Sequence, residues 1–409
     1  MKKMFLYSLF MMTVVLLNSC MAAGSRDSKT DGSPEEYYES TSSTTSKDDR
    51  IETNGLASIG SNQCLICAGG LVQYYDWEEG RLYPICSRLN CDHTEYDFLK
   101  NRSPECPAAI LAKDSDGYIC VTEDALWYIA RDLSNNKEAM CVLMKSDLNG
   151  ENARTLFQIP ALSFANGGGM YMSGDVLYAV GYTMLINEEK MESTNQYSLY
   201  EIDVREKRSV VVKEANTKHW RPFQLIGIYD EKLYYIENNG GRTKLLCRET
   251  GSGTETSLDD IDLSYADKVR LYNNHLYYIV KAEERYILME YDLDTNTSQI
   301  YTDNEELFVF YNCGERILFR TDDAWYVCEE KGQPLKWIRD SLLVGPYDFI
   351  CYVNDMCFFM ETRKRTDGYV LKDDSVIQDY SSEIAIISIV DFVKGEEPAL
   401  LTEQMRGIE

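Results

Sequence analysis

Apolar and polar positions alternate with a period of two along most of this chain, in short runs separated by turn residues. One pattern recurs, in which an aliphatic residue is followed by aromatic or other large apolar residues. Its copies are 39 to 56 residues apart and begin at Leu71, Leu126, Leu177, Leu233, Leu276, Ile317 and Met356. Period-two alternation with aromatic and β-branched side chains predicts strands rather than helices.

A second pattern follows at least three of these copies, 12 to 22 residues after the lead position. It is an apolar strand that ends in an Asp- or Asn-containing turn, and it begins at Leu143, Leu199 and Leu288. Two strand pairs per repeat make one four-stranded blade, and blades that stack around an axis bury both faces of each sheet. We therefore predict an all-β fold, a seven-bladed β-propeller over residues 56–409. Six or eight blades are the alternatives in number, and two β-sandwich domains are the competing fold.

Two further expectations follow from the repeat. A propeller closes when its last blade takes a strand from the other end of the chain. We expect residues near Leu56 to Ile66 to pair with the C-terminal blade for this reason. The third repeat carries an insert from Tyr182 to Gln196. This insert should enlarge one rim of the ring and is the predicted contact region.

The N-terminus has a secretory pattern. Two lysines precede about 14 mostly apolar residues, which are too few to span a bilayer. Leu17-Asn18-Ser19-Cys20 resembles the lipobox of bacterial lipoproteins, although Asn18 is more polar than usual at its position. The resemblance implies a lipoprotein signal peptide at 1–19 and a diacylglycerol-modified Cys20, with palmitate-type acyl chains as the anchor. An ordinary signal peptide cleaved near Met21 to Ala23 is the alternative.

Residues 20–55 are rich in Ser, Thr, Asp and Glu. Such a segment buries too little apolar surface to offset the entropy of ordering it, so it predicts a disordered tether. The chain has 41 Lys plus Arg against 67 Asp plus Glu, a net charge of −26. This charge excludes a general nucleic-acid or anionic-membrane binder, because both need basic faces. The predicted localisation is exported and lipid-anchored, facing the extracytoplasmic side.

The lipobox, the acidic Ser/Thr segment and hairpins such as Leu233-Tyr234-Tyr235-Ile236 together resemble bacterial surface lipoproteins with a TolB-like propeller domain. The resemblance covers roughly residues 56–409 and rests on structural motifs. It implies a propeller with a binding or scaffold role and brings no catalytic residues with it.

The cysteines are unevenly distributed. Of 13, a group lies within residues 86–108 together with one of the three histidines: Cys86, Cys91, His93 and Cys106. Similar propeller lipoproteins carry a comparable insert after the first hairpin. Three thiolates and one imidazole form a complete tetrahedral set for structural zinc. An exported location favours disulfides instead. Zinc, disulfides and free thiols all remain open at this point.

Other cysteines allow further pairs. Cys64 and Cys67 could pair with each other or with the cluster, and Cys351 could pair with Cys357 across a hairpin. Cys120, Cys247, Cys328 and Cys357 lie in apolar strand patterns, which is typical of small buried hydrophobic residues.

Catalytic signals are weak. No G-x-S-x-G motif, Walker A loop or dinucleotide fingerprint occurs. His219 and His275 lack an accompanying motif, and the Asp doublets at 259, 322 and 373 fit hairpin turns better than facing carboxylates. We predict a membrane-anchored module that binds or scaffolds a protein, peptide or glycan through a propeller rim or channel. An extracellular glycan- or peptide-cleaving hydrolase or lyase is the alternative. The favoured interpretation is that the protein is not an enzyme.

Overall fold

The computed structural model describes most of residues 52–401. Its description omits several short stretches: 54–56, 60–63, 69–70, 92, 94–104, 111–114, 133–139, 162, 165–168, 188–191, 218–221, 240–241, 260, 262, 264, 266–267, 341–346, 365–368, 371–375 and 378–379. The predicted signal peptide, the lipidation site Cys20 and most of the predicted tether lie outside the described residues.

In the described residues, seven antiparallel sheets of four or five strands follow one another along the chain and confirm the predicted seven-bladed propeller. The strands of blades 1 and 2 are Glu52–Thr53 (β1), Ala57–Ile59 (β2), Cys64–Ala68 (β3), Leu71–Asp76 (β4) and Arg81–Pro84 (β5), then Ser115–Val121 (β6), Leu126–Asp132 (β7), Met140–Ser146 (β8) and Arg154–Ile159 (β9). Those of blades 3 and 4 are Met170–Ser173 (β10), Val176–Asn187 (β11), Glu192–Asp203 (β12) and Arg208–Thr217 (β13), then Phe223–Tyr229 (β14), Lys232–Asn239 (β15), Arg242–Glu249 (β16) and Glu255–Ser257 (β17).

The remaining three blades have the same meander. Blades 5 and 6 are Arg270–Tyr272 (β18), His275–Ala282 (β19), Arg285–Asp292 (β20) and Thr297–Asn304 (β21), then Val309–Cys313 (β22), Arg316–Arg320 (β23), Ala324–Cys328 (β24) and Lys336–Asp340 (β25). Blade 7 and its insertions are Tyr347–Val353 (β26), Met356–Lys364 (β27), Tyr369–Val370 (β28), Val376–Ile377 (β29), Tyr380–Ser388 (β30), the helix Ile389–Val393 (α1) and Ala399–Leu400 (β31).

The ring closes differently from the sequence-based expectation. In the described part of the chain, β2 and β3 pair within blade 1 and not with the C-terminal blade. Blade 7 obtains its fourth strand, β31, from its own C-terminal segment. The prediction that residues near Leu56 to Ile66 pair with the C-terminal blade is therefore wrong. Each end of the chain forms its own complete sheet, and blades 1 and 7 contact each other through side chains. Strand β1 contacts β6 and β10, the first strands of blades 2 and 3.

The recurring apolar pattern lies on the second strand of blades 2 to 7, where alternate side chains face opposite neighbours. In blade 4, Leu233 and Tyr235 pack against blade 3, whereas Tyr234 and Ile236 pack against blade 5. The same alternation holds in blades 2, 3, 5, 6 and 7. The aromatic pairs are thus packing between blades, because a strand with period two presents a side chain to each face in turn.

The first copy of the pattern begins at Cys64 and not at Leu71. Cys64 and Ile66 on β3 pack against blade 7, while Leu65 packs against blade 2. Leu71 begins β4, the next strand of the same blade, whose apolar composition is similar. Sequence composition alone could not separate these two strands.

A polar network joins blades 3 and 4 near their outer strands. Lys213 Nζ lies 2.8 Å from both Glu237 Oε2 and Glu255 Oε1, and Tyr235 also donates to Glu255. All three charged side chains are only about a quarter exposed. Burial opposes ionisation of Glu255, but the hydrogen bonds from Lys213 and Tyr235 outweigh it and lower the pKa of Glu255. Burial likewise opposes the charge on Lys213, yet both carboxylates raise its pKa.

Replacing Lys213 with Met should lower the free energy of unfolding by about 2 kcal/mol at pH 7, because it leaves two half-buried carboxylates without their cation. The contribution of Glu255 is present above its ordinary pKa of 4.5 and is lost as pH falls through the lowered folded value. That of Lys213 is complete below 10.5 and is lost as pH rises through the raised folded value. Urea unfolding of the wild type and the variant from pH 3 to pH 11 measures the difference.

The matched control is Arg285→Met, which removes a half-exposed pair with Asp303 and should cost less than about 1 kcal/mol. An equal effect of the two substitutions, or a Lys213 effect that persists undiminished at pH 3, would contradict the assignment.

Candidate metal centre and an adjacent groove

Three cysteines and one histidine predicted from the sequence converge after β5. The ligand atoms of Cys86, Cys91, His93 and Cys106 all lie within 4.8 Å of one another. Cys106 Sγ is 3.7 Å from His93 Nδ1. Ligand atoms around tetrahedral zinc, with Zn–S about 2.3 Å and Zn–N about 2.0 Å, lie about 3.5–3.8 Å apart. The cluster is therefore close to the size of a zinc tetrahedron.

The cluster is half enclosed by the interface between blades 1 and 2. Cys86 and Cys106 are buried, at 7% and 5% exposure, while Cys91 and His93 are partly exposed. Burial raises the pKa of Cys106 to about 12 and also raises the pKa of Cys86. In the absence of a cation these buried thiols hold their protons. A bound divalent cation would displace those protons, since thiolates are its ligands.

The local backbone places the ligands. The amide of Cys91 donates to the carbonyl of Arg88, forming a turn that brings Cys91 back towards Cys86. His93 has a φ of +45°, an uncommon conformation for a residue other than glycine. After the undescribed stretch, Ala108 O accepts from Val72 N on β4 and fixes the segment that carries Cys106 to blade 1.

The segment also docks on blade 2, at the turn between β8 and β9. Arg88 Nε lies 2.9 Å from Glu151 Oε1, and Asn149 Nδ2 donates to Ser87 Oγ at 3.0 Å. Gly150 in that turn has a φ of +77°, and a Cβ there would come within 2.4 Å of the carbonyl oxygen of Pro107. The close approach requires glycine at this position.

The chemistry available to this set is structural. Three sulfur ligands and one nitrogen ligand complete a four-coordinate site and leave no open position for a substrate, which is typical of structural zinc. All four ligands belong to the segment that bridges blades 1 and 2. A cation would hold that segment in its docked position.

Other predicted site residues are placed as follows. Cys64 contacts Cys351 in the interface between blades 1 and 7. The side chain of Cys67 lies outside the described residues, so a Cys64–Cys67 pair stays a prediction. Cys351 lies opposite Phe358 on β27, and Cys357 lies opposite Tyr352. None of the described cysteines is in a disulfide.

The two histidines considered as bases differ in outcome. His219 lies outside the described residues. His275 Nε2 lies 3.2 Å from Glu290 Oε1 and 3.7 Å from Asp292 Oδ2. Lys331 Nζ lies 2.9 Å from the other oxygen of Glu290, which is only 6% exposed. Glu290 and Lys331 form an ion pair between blades 5 and 6, and His275 lies beside it.

A groove that the sequence did not reveal lies between blades 2 and 3, and its volume is about 530 Å³. Lys145, Arg154, Arg205 and Lys207 line it, together with Asp124 and Asp175. Four cations against two acids reverse the balance of the whole chain, which has 67 acidic and 41 basic residues. Lys145 and Arg154 come from blade 2, whereas Arg205 and Lys207 share one turn of blade 3, so no single local motif signalled the set.

Local geometry fixes two sides of the groove. Lys145 Nζ lies 4.6 Å from the centre of the Trp127 ring and 3.1 Å from Asp124 Oδ2. The carboxylate of Asp203 accepts from the amides of Arg205 and Glu206, which shapes the turn between β12 and β13. Arg154, Arg205 and Lys207 are exposed at the rim.

The groove and the Cys/His cluster lie at the same end of blade 2. Turns between first and second strands and between third and fourth strands share one end of an antiparallel blade, and both features use such turns. The long hairpin of β11 and β12, which contains the predicted insert Tyr182 to Gln196, extends from the opposite end of blade 3. Its role as a contact region stays a prediction.

No protein-family model and no curated protein sequence matches this chain. Solved structures with a similar fold include an oligogalacturonate lyase in complex with manganese, 13% identical, covering 75% of this chain and 83% of that chain with a TM-score of 0.43. TolB from Acinetobacter baumannii is 12% identical, with 66% and 74% covered and a TM-score of 0.32. The propeller domain of the Trilobed protease from Pyrococcus furiosus is 8% identical, with 57% and 69% covered and a TM-score of 0.34.

At these identities and TM-scores the likeness concerns the β-propeller fold alone. Within the described part of the chain, no helix is long and apolar enough to cross a membrane.

We expect the full chain, purified with its thiols reduced, to bind one zinc ion per molecule at the Cys86, Cys91, His93 and Cys106 cluster. Cys106→Ala should weaken zinc binding by more than about 100-fold, because loss of even an outer-shell partner costs 10- to 100-fold. Metal analysis by atomic emission and a free-thiol count measure both quantities.

Cys120→Ala is the matched control, since it removes an equally buried thiol in blade 2 that does not belong to the cluster. Retention of zinc in this control and its loss in Cys106→Ala would support the site. A metal-free chain with two cluster cysteines linked to each other would establish the disulfide alternative instead.

Proposed function

We propose that this protein is a membrane-anchored extracytoplasmic binding module that holds an anionic, carboxylate-bearing chain in the groove between blades 2 and 3. The reversal of charge in that groove carries the proposal. A surface that is acidic elsewhere repels anions, whereas four cations around one concave site attract them. Ligand sites in propellers use the turns at the ends of blades, as this groove does.

The groove favours binding over acid–base chemistry. Asp124 is exposed, and although desolvation opposes its ionisation, hydrogen bonds from Lys145 and Thr122 lower its pKa. It is therefore ionised at neutral pH and unsuited to protonate a leaving group, which needs a raised pKa. The same carboxylate orients Lys145 towards the groove. No contact among the described groove residues favours the hydrolase or lyase alternative over binding.

The segment that carries the Cys86, Cys91, His93 and Cys106 cluster would support ligand binding by holding one side of the groove in place. This segment braces the turn between β8 and β9, and Arg154 at the start of β9 lines the groove. A fixed turn holds the Arg154 backbone in place before a ligand arrives. Preorganisation of this kind improves affinity because less ordering is required on binding.

The anchoring part of the proposal rests on the sequence of the N-terminus. A lipid on Cys20 would hold the propeller near the membrane through the Ser/Thr-rich segment. Two or more acyl chains suffice for stable anchoring without a spanning helix. Partners are then molecules outside the cytoplasm, and the net charge of −26 argues against nucleic acid.

Charge reversal in the groove should weaken binding of a polyanion. Arg154→Glu with Lys207→Glu in the full chain should reduce the affinity for fluorescent poly-L-glutamate or polygalacturonate by at least about 10-fold, because exposed cations supply attraction that falls with salt. Fluorescence anisotropy at two ionic strengths measures the change. The two polymers separate an acidic peptide from an acidic glycan.

Lys244→Glu, an exposed cation on β16 of blade 4, is the matched control and should leave binding unchanged. Neutral dextran should not bind. Equal losses in the groove variant and the control, or no binding of either polyanion by the wild type, would refute the groove as the ligand site.

Cys20→Ala should abolish lipid attachment to the expressed chain, because it removes the predicted acylation site. Wild-type protein should enter the detergent phase on Triton X-114 partitioning, and the variant should enter the aqueous phase or retain its uncleaved signal. Cys120→Ala, within the propeller, should partition like the wild type. Detergent-phase partitioning of a cleaved Cys20→Ala chain would disprove lipidation at this residue.

A further inference from the structure

The interface between the first and last blades has to hold the ring closed without a shared strand. In the described chain, no backbone pairing joins blades 1 and 7. The interface consists of apolar side chains, with Cys64 and Ile66 of β3 against Phe358 and Ile384 of blade 7. The other six interfaces also consist of apolar side chains, but only the interface between blades 1 and 7 joins opposite ends of the chain.

Two thiols meet inside this interface. Cys64 Sγ and Cys351 Sγ lie 3.8 Å apart, in residues that are 2% and 5% exposed. They are separated by 287 positions in the sequence. A disulfide requires an S–S separation of about 2.0 Å, so a movement of less than about 2 Å would bring the two atoms into bonding distance.

A β-bulge directs one of the thiols. The register between β26 and β27 shifts between Phe349 and Cys351. As a result, the consecutive residues Ile350 and Cys351 are both buried in the interface with blade 1. Without the bulge, alternation would send neighbouring side chains to opposite faces. The backbone irregularity therefore aims Cys351 at Cys64.

Among the cysteines whose side chains the structure describes, the others compete little for these two. Cys86, Cys91 and Cys106 lie with the interface between blades 1 and 2, on the other face of blade 1. Cys313 and Cys357 pack together in the interface between blades 6 and 7. They are the nearest competing pair and define the control below.

We propose that Cys64 and Cys351 are the site of a disulfide that covalently closes the propeller ring between its first and last blades. At the proposed extracytoplasmic location, on which this inference rests, a chain meets small-molecule or protein disulfides that serve as oxidants. Exchange with such a disulfide transfers two electrons from the two thiols to it. One S–S bond breaks in the oxidant, one forms between Cys64 and Cys351, and the two protons go to the released thiols.

Burial sets the time at which the bond forms. The hydrogen bond between Cys351 and Cys64, together with burial, raises the pKa of the Cys351 thiol. The thiolate is the attacking species, so the closed interface reacts slowly with oxidants. Oxidation belongs to the stage of folding at which blades 1 and 7 have not yet packed. Once formed, the bond is enclosed by the same apolar side chains and is protected from reductants.

The test uses the full wild-type chain, unfolded and refolded in a glutathione and glutathione-disulfide buffer. Non-reducing peptide mapping by mass spectrometry should identify a linked pair of peptides that contain Cys64 and Cys351. A link that spans this much of the chain should make the protein migrate faster on a non-reducing gel. Its melting temperature should rise by about 5 °C or more relative to the reduced protein, since a disulfide that closes a long loop stabilises most.

Cys64→Ala and Cys351→Ala should each lose the fast-migrating form and the melting shift, while Cys313→Ala should keep both. The mapping of wild-type protein stands even when a variant folds poorly. Recovery of Cys64 and Cys351 as free thiols or glutathione adducts after refolding, or linked to other cysteines, would overturn the proposal. A fast-migrating form that survives in Cys64→Ala but disappears in Cys313→Ala would assign the bond to Cys313 and Cys357.

Discussion

Burial of both faces of every blade is the constraint on which the rest of this structure depends. A four-stranded sheet in water hides one face at most, so each blade needs a neighbour on either side. The second strand meets this need with four consecutive apolar side chains that alternate between the two neighbours. The ring and the aromatic composition follow from this constraint. Polar sites are confined to the ends and outer edges of the blades, because the faces of the blades are buried.

The Cys/His cluster and the cationic groove lie at the same end of the blades. The segment that carries the Cys and His ligands spans blades 1 and 2, and the cationic groove spans blades 2 and 3. Blade 2 is common to both. Its turn between β8 and β9 contacts the segment that carries the Cys and His ligands, and Arg154 on β9 lines the groove. A change at one feature can therefore reach the other through about four residues of backbone, without any rearrangement of the ring.

The sequence predicted the seven blades and the grouping of Cys86, Cys91, His93 and Cys106, because both depend on local patterns. Period-two alternation survives any variation in loop length, and the four ligands are close along the chain. The Cys64 and Cys351 contact was not predictable, since it joins residues 287 positions apart and depends on a bulge. The groove was missed for a related reason: Lys145 and Lys207 become neighbours only when two blades stack. The expected strand exchange failed because alternation cannot reveal which end of the chain completes a sheet.

Strand β1 has a mechanical consequence. It is the first described strand, and it is held to β2 by two residue pairs, Glu52 with Ile59 and Thr53 with Ser58. If Cys20 fixes the chain to a membrane, any pull on a bound ligand is transmitted to the anchor through this strand. Two residue pairs form a weak link compared with the long ladders of blade 3. Under load β1 would detach from β2 first and lengthen the tether before the force reached the rest of blade 1.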